Sequence, residues 1–211
     1  KVVISAPAGN DLPTIVFSVN ENTLKAEDTI ISAASCTTNC LAPVVKVLND
    51  KFGVVSGWMT TVHAYTNDQA TLDVPHKKGI KARRGRACAM NIVPASTGAA
   101  SAIGKVIPSL LGKLDGNAFR VPVPDGSVID VTLELTRNTS VEELNTLFTN
   151  NQNETLKITM DPVVSSDILG KKVGALVDGL STNVLEADGK QLVKIVAWYD
   201  NEMGYTAQMM R

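Results

Sequence analysis

Ser127-Val128-Ile129-Asp130-Val131-Thr132-Leu133-Glu134-Leu135-Thr136 alternates without a break. Ile129, Val131, Leu133 and Leu135 fall on one side; Val128, Asp130, Thr132, Glu134 and Thr136 fall on the other. A period of two with one apolar side is the pattern of a half-buried strand in an antiparallel sheet. Just downstream, Ser140-Val141-Glu142-Glu143 reads as a capping box opening a helix, with Leu144, Leu147 and Phe148 as its buried stripe. Val173–Leu176 and Leu192–Trp198 predict further strands. Upstream, Leu41, Val44, Val45, Leu48 and Phe52 recur at helical spacing from Thr37 to Phe52. Pro43 is expected in the first turns, where a missing N–H is tolerated, and Gly53 ends the helix. Val54 to His63 then reads as a strand. Ala99, Ala102, Ile103, Val106, Ile107, Leu110 and Leu111 predict a second amphipathic helix, ending at Gly112. Val2–Ile4, Thr14–Val19 and Thr29–Ser32 predict three short strands, with no helix between them long enough for complete strand-helix-strand units. The pattern predicts an α+β fold: a mostly antiparallel mixed sheet with helices on one face, preceded by the remnant of another sheet.

Composition narrows the function classes. Of the 211 residues 44% are hydrophobic and 19% charged, which excludes a disordered chain. Twenty Lys+Arg against 21 Asp+Glu give a net charge of -1, so no global field draws the chain to nucleic acid or an anionic membrane. No apolar run approaches the roughly 18–20 residues of a spanning helix. Three cysteines are too few for a disulfide framework and favour a reducing, cytoplasmic setting. With two histidines and no Cys-x-x-Cys, a structural zinc site is not expected. The sequence opens inside a strand without Met and closes within a helical pattern at Arg211, so it is expected to be a piece of a longer protein.

Ser35-Cys36-Thr37-Thr38-Asn39 lies where a strand gives way to a helix. Free N–H groups and the positive end of the helix dipole favour a thiolate there. A helix from Thr37 to Phe52 runs about 24 Å at ~1.5 Å per residue. A strand from Val54 to His63 returns at least as far at ~3.3 Å per residue. If the two are antiparallel neighbours, His63 arrives level with Cys36, and the pair supplies a nucleophile and a general acid or base. Local sequence alone leaves a packed cysteine and an unrelated histidine as the alternative. Cys40, between apolar neighbours, and Cys88 are expected to be inert. Ser96-Thr97-Gly98-Ala99 suits a phosphate at a helix start, or an ordinary N-cap. Arg120 alone reads as a surface charge. The long polar segment 64–91 carries Lys77, Lys78, Lys81, Arg83, Arg84 and Arg86; a solvated face is the default reading, a nucleic-acid patch is weak for want of interleaved aromatics and net charge, and a phosphate or subunit contact is the third.

Several segments together resemble one family. Ala34-Ser35-Cys36-Thr37-Thr38-Asn39-Cys40-Leu41-Ala42-Pro43 resembles the active-site signature of the phosphorylating glyceraldehyde-3-phosphate dehydrogenases. Thr60-Thr61-Val62-His63-Ala64-Tyr65-Thr66 resembles their histidine strand. Asn91–Ala100, Arg120-Val121-Pro122-Val123-Pro124 and Trp198–Tyr205 match in family order. The resemblance implies that Cys36 attacks an aldehyde carbon, that His63 acts as acid or base, and that hydride passes to NAD. A thioester would then be cleaved by inorganic phosphate. It implies Thr66 and Arg120 for the phosphate of glyceraldehyde 3-phosphate. Ser35, Thr37, Thr97 and Gly98 would serve the attacking phosphate, Arg84 would stand near that second pocket, and Ser5 and Asn201 would contact the cofactor. It also implies residues 1–36 as the remnant of a Rossmann-type NAD-binding domain, 37–198 as the catalytic domain and 199–211 as the start of a truncated C-terminal helix. A homotetramer is implied, with the 64–91 loop between subunits and no specific nucleic acid or membrane partner. The glycine-rich dinucleotide fingerprint is not among these residues, so the 211-residue piece is expected to be inactive by itself and to bind NAD poorly. Ala33 and Cys88 depart from the residues common in the family. Rival readings are a dehydrogenase for a longer phosphorylated sugar, a cysteine hydrolase and a binding-only protein.

Overall fold

A computed structural model describes residues 1–9 and 11–211. β1 (Val2–Ile4) and β2 (Ile30–Ser32) form a small parallel sheet with Val2 opposite Ile30. The strand expected over Thr14–Val19 does not form. Thr14 makes only an isolated bridge to Ser32. Beyond it, the Asn20 side chain takes the backbone groups a ladder would need: its Oδ1 accepts from Val16 N–H at 2.8 Å and its Nδ2 donates to Thr14 C=O at 2.9 Å.

α1 (Cys36–Phe52) begins one residue earlier than its apolar spacing predicts. Ser35 caps it, its hydroxyl accepting from Thr38 N–H, a contact worth about 1 kcal/mol. Gly53 ends it at φ 70°, where side chains other than glycine's are strained. Pro43 stands near the middle of α1 rather than in its first turns, so the Asn39 carbonyl loses its intrahelical donor. Gly174 packs against that carbonyl; a Cβ there would lie 2.9 Å from Asn39 O.

β3 (Val54–Ala64) follows at once. The remaining elements are β4 (Val93–Ser96), α2 (Ile103–Val106), β5 (Leu114–Val121), β6 (Ser127–Leu135), α3 (Val141–Asn150), β7 (Leu156–Thr159), β8 (Ala175–Asp178), β9 (Asn183–Ala187), β10 (Lys190–Tyr199) and α4 (Met203–Met210). The second helix is far shorter than its apolar stripe. Pro108 pushes Ile107 out of the helical region, to φ -131° and ψ 86°, and a 3-10 turn replaces the last part. Ile103, Val106, Ile107 and Leu110 are nonetheless all buried. In α3 half of the expected capping box forms: Ser140 accepts from Glu143 N–H, while the Glu143 carboxylate goes to Arg137 and Thr139. β8 starts two residues later than expected, at Ala175.

The main sheet has eight strands in the order β4-β5-β3-β6-β10-β8-β7, with β9 on β10. Pairing is parallel at β3–β5 and β7–β8 and antiparallel at the other pairs. α1 lies across β3, β6, β8 and β10. Ile129, Val131 and Leu133 of β6 point toward it and are fully buried. The other face carries Val55, Trp58 and Val62 in the open. The α+β architecture with helices on one face is thus as the alternation predicts. Placing α1 across the β3 face sets its first residue beside the far end of β3.

Candidate active site

Cys36 is the first residue of α1 and His63 lies one residue from the end of β3. Their side chains meet: Cys36 Sγ is 3.4 Å from His63 Nε2. Helix length and strand return bring them together, as the connectivity predicts. Arg120 joins them through the parallel ladder, in which it pairs directly with His63 and so shares its face of the sheet. Its Nη1 lies 2.8 Å from His63 Nδ1, 2.9 Å from Ala64 O and 3.1 Å from Thr66 Oγ1. Arg120 is therefore no surface charge.

These groups open on a cavity of about 550 Å³. Ser35, Cys36, Thr37, His63, Thr97, Gly98, Arg84 and Arg120 all line it. Thr66 is half-buried and reaches the cluster through Arg120. Arg84 donates to Asp68 and, at 2.9 Å, to Ser96 O. Lys77, Lys78, Lys81, Arg83 and Arg86 of the same basic run stay exposed. Thr97 and Gly98 do not open a regular helix: α2 starts only at Ile103, so the helix-dipole argument does not apply to them. A Cβ on Gly98 would meet nothing within 4 Å, because that backbone faces open space. Ser5 is exposed and does not line the cavity. Asn201 is buried, its Oδ1 accepting from the Ser127 hydroxyl at 2.7 Å and its Nδ2 donating to Glu202 at 3.3 Å. Cys40 is fully buried against Ala197 O, and Cys88 is half-buried outside the cavity.

Burial dominates the electrostatics. It pushes the Cys36 thiol up from its ordinary value, against the pull of the Thr37 hydroxyl where its proton turns to the ionised sulfur, and of the Thr37 N–H and the Arg120 charge. The helix start alone is thus not enough to ionise the sulfur. Burial, and then the Arg120 charge, hold His63 down to about 4. Burial opposes ionisation of Asp68, but the Thr66 hydroxyl and the guanidiniums of Arg120 and Arg84 hold its carboxyl below the usual range. Asp68 therefore stays an anion and offsets part of the charge of both arginines.

The sequence reading left out a hydroxyl chain behind the pair. Thr61 donates to Val128 O at 3.2 Å. Its only proton is spent there, so the 2.8 Å contact with Tyr199 has the phenol donating to Thr61. The 2.9 Å contact of Tyr199 with Thr37 then has Thr37 donating. While its proton is on Tyr199, Thr37 Oγ1, 4.0 Å from Cys36 Sγ, has no proton to give the sulfur. Tyr199 is buried and meets the His63 ring edge-on at 5.9 Å. Thr61 was legible in principle, since it stands two residues from His63 on one strand face.

Cys36 Sγ and His63 Nε2 thus lie within proton-transfer distance in a cavity that also holds two guanidiniums. The family profile "Glyceraldehyde 3-phosphate dehydrogenase, C-terminal domain" matches residues 35–201. A glyceraldehyde-3-phosphate dehydrogenase of Clostridium pasteurianum is 60% identical over all 211 residues, which cover 63% of that protein. One of Clostridium acetobutylicum is 58% identical over the same span and the same share. One of Streptococcus pyogenes is 58% identical, with 62% of its length covered. The chain therefore spans a little under two thirds of these relatives, and it belongs to the glyceraldehyde 3-phosphate dehydrogenase family, whose C-terminal domain its residues 35–201 match.

Proposed function

We propose that the protein oxidises glyceraldehyde 3-phosphate and phosphorylates the product to 1,3-bisphosphoglycerate, as its relatives' name suggests. The observation that carries this reading is the 3.4 Å contact of Cys36 Sγ with His63 Nε2 in a cavity lined by two arginines. Cys36 forms the bond to the aldehyde carbon, and His63 takes the proton of the resulting hydroxyl as the carbon is oxidised. NAD, when bound, supplies the hydride acceptor. Asn201 keeps one amide proton beyond its bond to Glu202, which suits a carboxamide partner, and Ser5 is open to solvent. These are the residues of this chain that would touch the cofactor. The thioester on Cys36 is then attacked by inorganic phosphate, the C–S bond breaks, and the thiol regains its proton from His63. Arg120 and Thr66 hold the substrate's own phosphate. Ser35, Thr37, Thr97 and Gly98, with Arg84, receive the attacking one. The Cys36 backbone N–H supports the oxyanion.

Residues 37–198 serve as the catalytic domain and 1–36 as part of the nucleotide side, with 199–211 opening the last helix. The whole protein works as a cytoplasmic homotetramer. Among the described residues no helix is long and apolar enough to cross a membrane. The test is NAD reduction by the whole protein. Sustained turnover should require both glyceraldehyde 3-phosphate and inorganic phosphate, and Cys36→Ser should abolish it. Ester cleavage without NAD and phosphate would make the protein a hydrolase instead. A faster rate with a longer sugar phosphate would reassign the substrate.

A further inference from the structure

Of the non-glycine residues at positive φ among the described ones, only Ala34 is buried. Its φ is 59°, where a Cβ crowds the following carbonyl oxygen and alanine is strained. β2 ends at Ser32, Ala33 still donates to Ile4 O at 3.0 Å, and Ser35 already caps α1, so the turn from sheet into helix falls on Ala34. Two hydrogen bonds hold it there. Its N–H donates to Ser32 Oγ at 3.1 Å, and its carbonyl accepts from the Tyr205 phenol at 3.2 Å. The first bond is local; the second comes from α4, 171 residues away. We infer that Tyr205 is a positioning residue whose hydroxyl clamps Ala34 in the left-handed turn that seats Cys36 against His63. This rests on the reading of Cys36 as nucleophile.

Ser35 and Cys36 follow Ala34 directly, so rotation about the Ala34 backbone moves the cap and the first residue of α1 together. The 3.4 Å contact between Cys36 Sγ and His63 Nε2 does not survive a large rotation. An alanine freed from the clamp favours negative φ. The clamp therefore has to be rigid, and α4 is tied down at its start. The Asp200 carboxylate accepts from Glu202 N at 2.9 Å, from Met203 N at 2.7 Å and from Gly170 N at 2.7 Å. Gly204, beside Tyr205, packs so closely that a Cβ there would lie 2.8 Å from Val173 O. Burial, and then a charge on Cys36, push the Tyr205 phenol up to about 12, so it keeps the proton it gives to Ala34 O. Among the described residues the phenol's hydrogen bond goes to that carbonyl and not to the sulfur, so its effect on Cys36 passes through the backbone. Asn201, the proposed cofactor contact, lies on the turn that opens α4. One element thus carries both that contact and the nucleophile's clamp.

The test is a double-mutant cycle of Tyr205→Phe and Ala34→Gly in the whole protein. The readout is the rate at which iodoacetamide alkylates Cys36 in the folded protein at neutral pH, followed on the Cys36 peptide by mass spectrometry. Phenylalanine keeps the ring and removes only the clamping hydroxyl. One neutral hydrogen bond shifts an equilibrium by roughly five- to tenfold, so Tyr205→Phe should slow alkylation by that factor. Glycine takes the left-handed turn unaided. In the Ala34→Gly background, adding Tyr205→Phe should therefore leave the rate within about twofold.

A phenol that only adds stability would lower the urea midpoint and leave the folded protein's alkylation rate unchanged; that result overturns the proposal. Equal slowing in both backgrounds also overturns it, because the phenol would then act on the sulfur by another route. If Tyr205→Phe does not fold by itself, the double variant decides. Folding with the Ala34→Gly rate supports the clamp, and failure to fold overturns it. Alkylation needs neither cofactor nor aldehyde, so the two readings fail separately: NAD reduction by the parental protein stands even where the cycle shows no coupling.

Discussion

Tyr199→Phe removes one oxygen from the centre of the hydroxyl chain. The ring stays, so no cavity large enough to collapse is made. Thr61 loses a donor but keeps its bond to Val128 O. Thr37, 5% exposed, loses the acceptor of its only hydroxyl proton. A buried donor left unpaired costs about 1–3 kcal/mol. Among the described residues its other recorded partner is Cys36 Sγ, at 4.0 Å. A hydrogen bond to a charged group is worth about 1.5–3 kcal/mol when well formed. At this distance about half of that is a fair expectation, or roughly one pH unit off the thiol. The variant should therefore be less stable by about 1–2 kcal/mol in urea unfolding. Its Cys36 should nevertheless react with iodoacetamide about tenfold faster near pH 7. The two effects have opposite signs for function, which simple loosening of the site does not produce. Adding Thr37→Val should erase the gain in reactivity, closing a double-mutant cycle. If Tyr199→Phe alkylates at the parental rate or more slowly, the donor directions assigned to the chain are wrong.

His63 binds its proton less well when folded (about 4 against 6.5), so between these values the unfolded chain holds more protons and stability rises with pH. Its contribution is complete above pH 6.5 and lost as pH falls to 4, by about 3 kcal/mol at most; His63→Gln should flatten that part of the urea-midpoint profile. Asp68→Asn leaves Arg84 and Arg120 without their shared counter-charge, so glycerol 3-phosphate should bind several-fold tighter by titration calorimetry, an effect that shrinks with added salt. Gly174→Ala would put a methyl 2.9 Å from both Asn39 O and Gln208 Nε2, and should cost about 1–3 kcal/mol in thermal or urea unfolding.

The sheet class was legible from one strand, because a period of two over Ser127–Leu135 admits few other structures. The Cys36–His63 contact was legible because it needs only the lengths of two consecutive elements. The Arg120 contact was not. It depends on which strand lies beside β3 and in what register, and the two partners are 57 residues apart. Apolar spacing overextended the second helix because the stripe over Ile103–Leu110 is buried in either geometry; Pro108 was the overlooked signal. Thr14–Val19 misled for a related reason: its composition is that of a strand, but the Asn20 side chain captures the backbone first. The thiol's environment was read from the free N–H groups and dipole of the helix start, and burial, which is a property of the assembled fold, outweighs them.

The pairing of His63 with Arg120 is a rung of a ladder, and rungs come in whole numbers. Slipping β5 by one residue against β3 would turn the guanidinium to the far side of the sheet, and slipping it by two would carry it roughly 6.6 Å away. No small adjustment lies between these states. Evolution can retune the cation's strength by changing what surrounds it, but the gap between guanidinium and imidazole is inherited whole or lost whole.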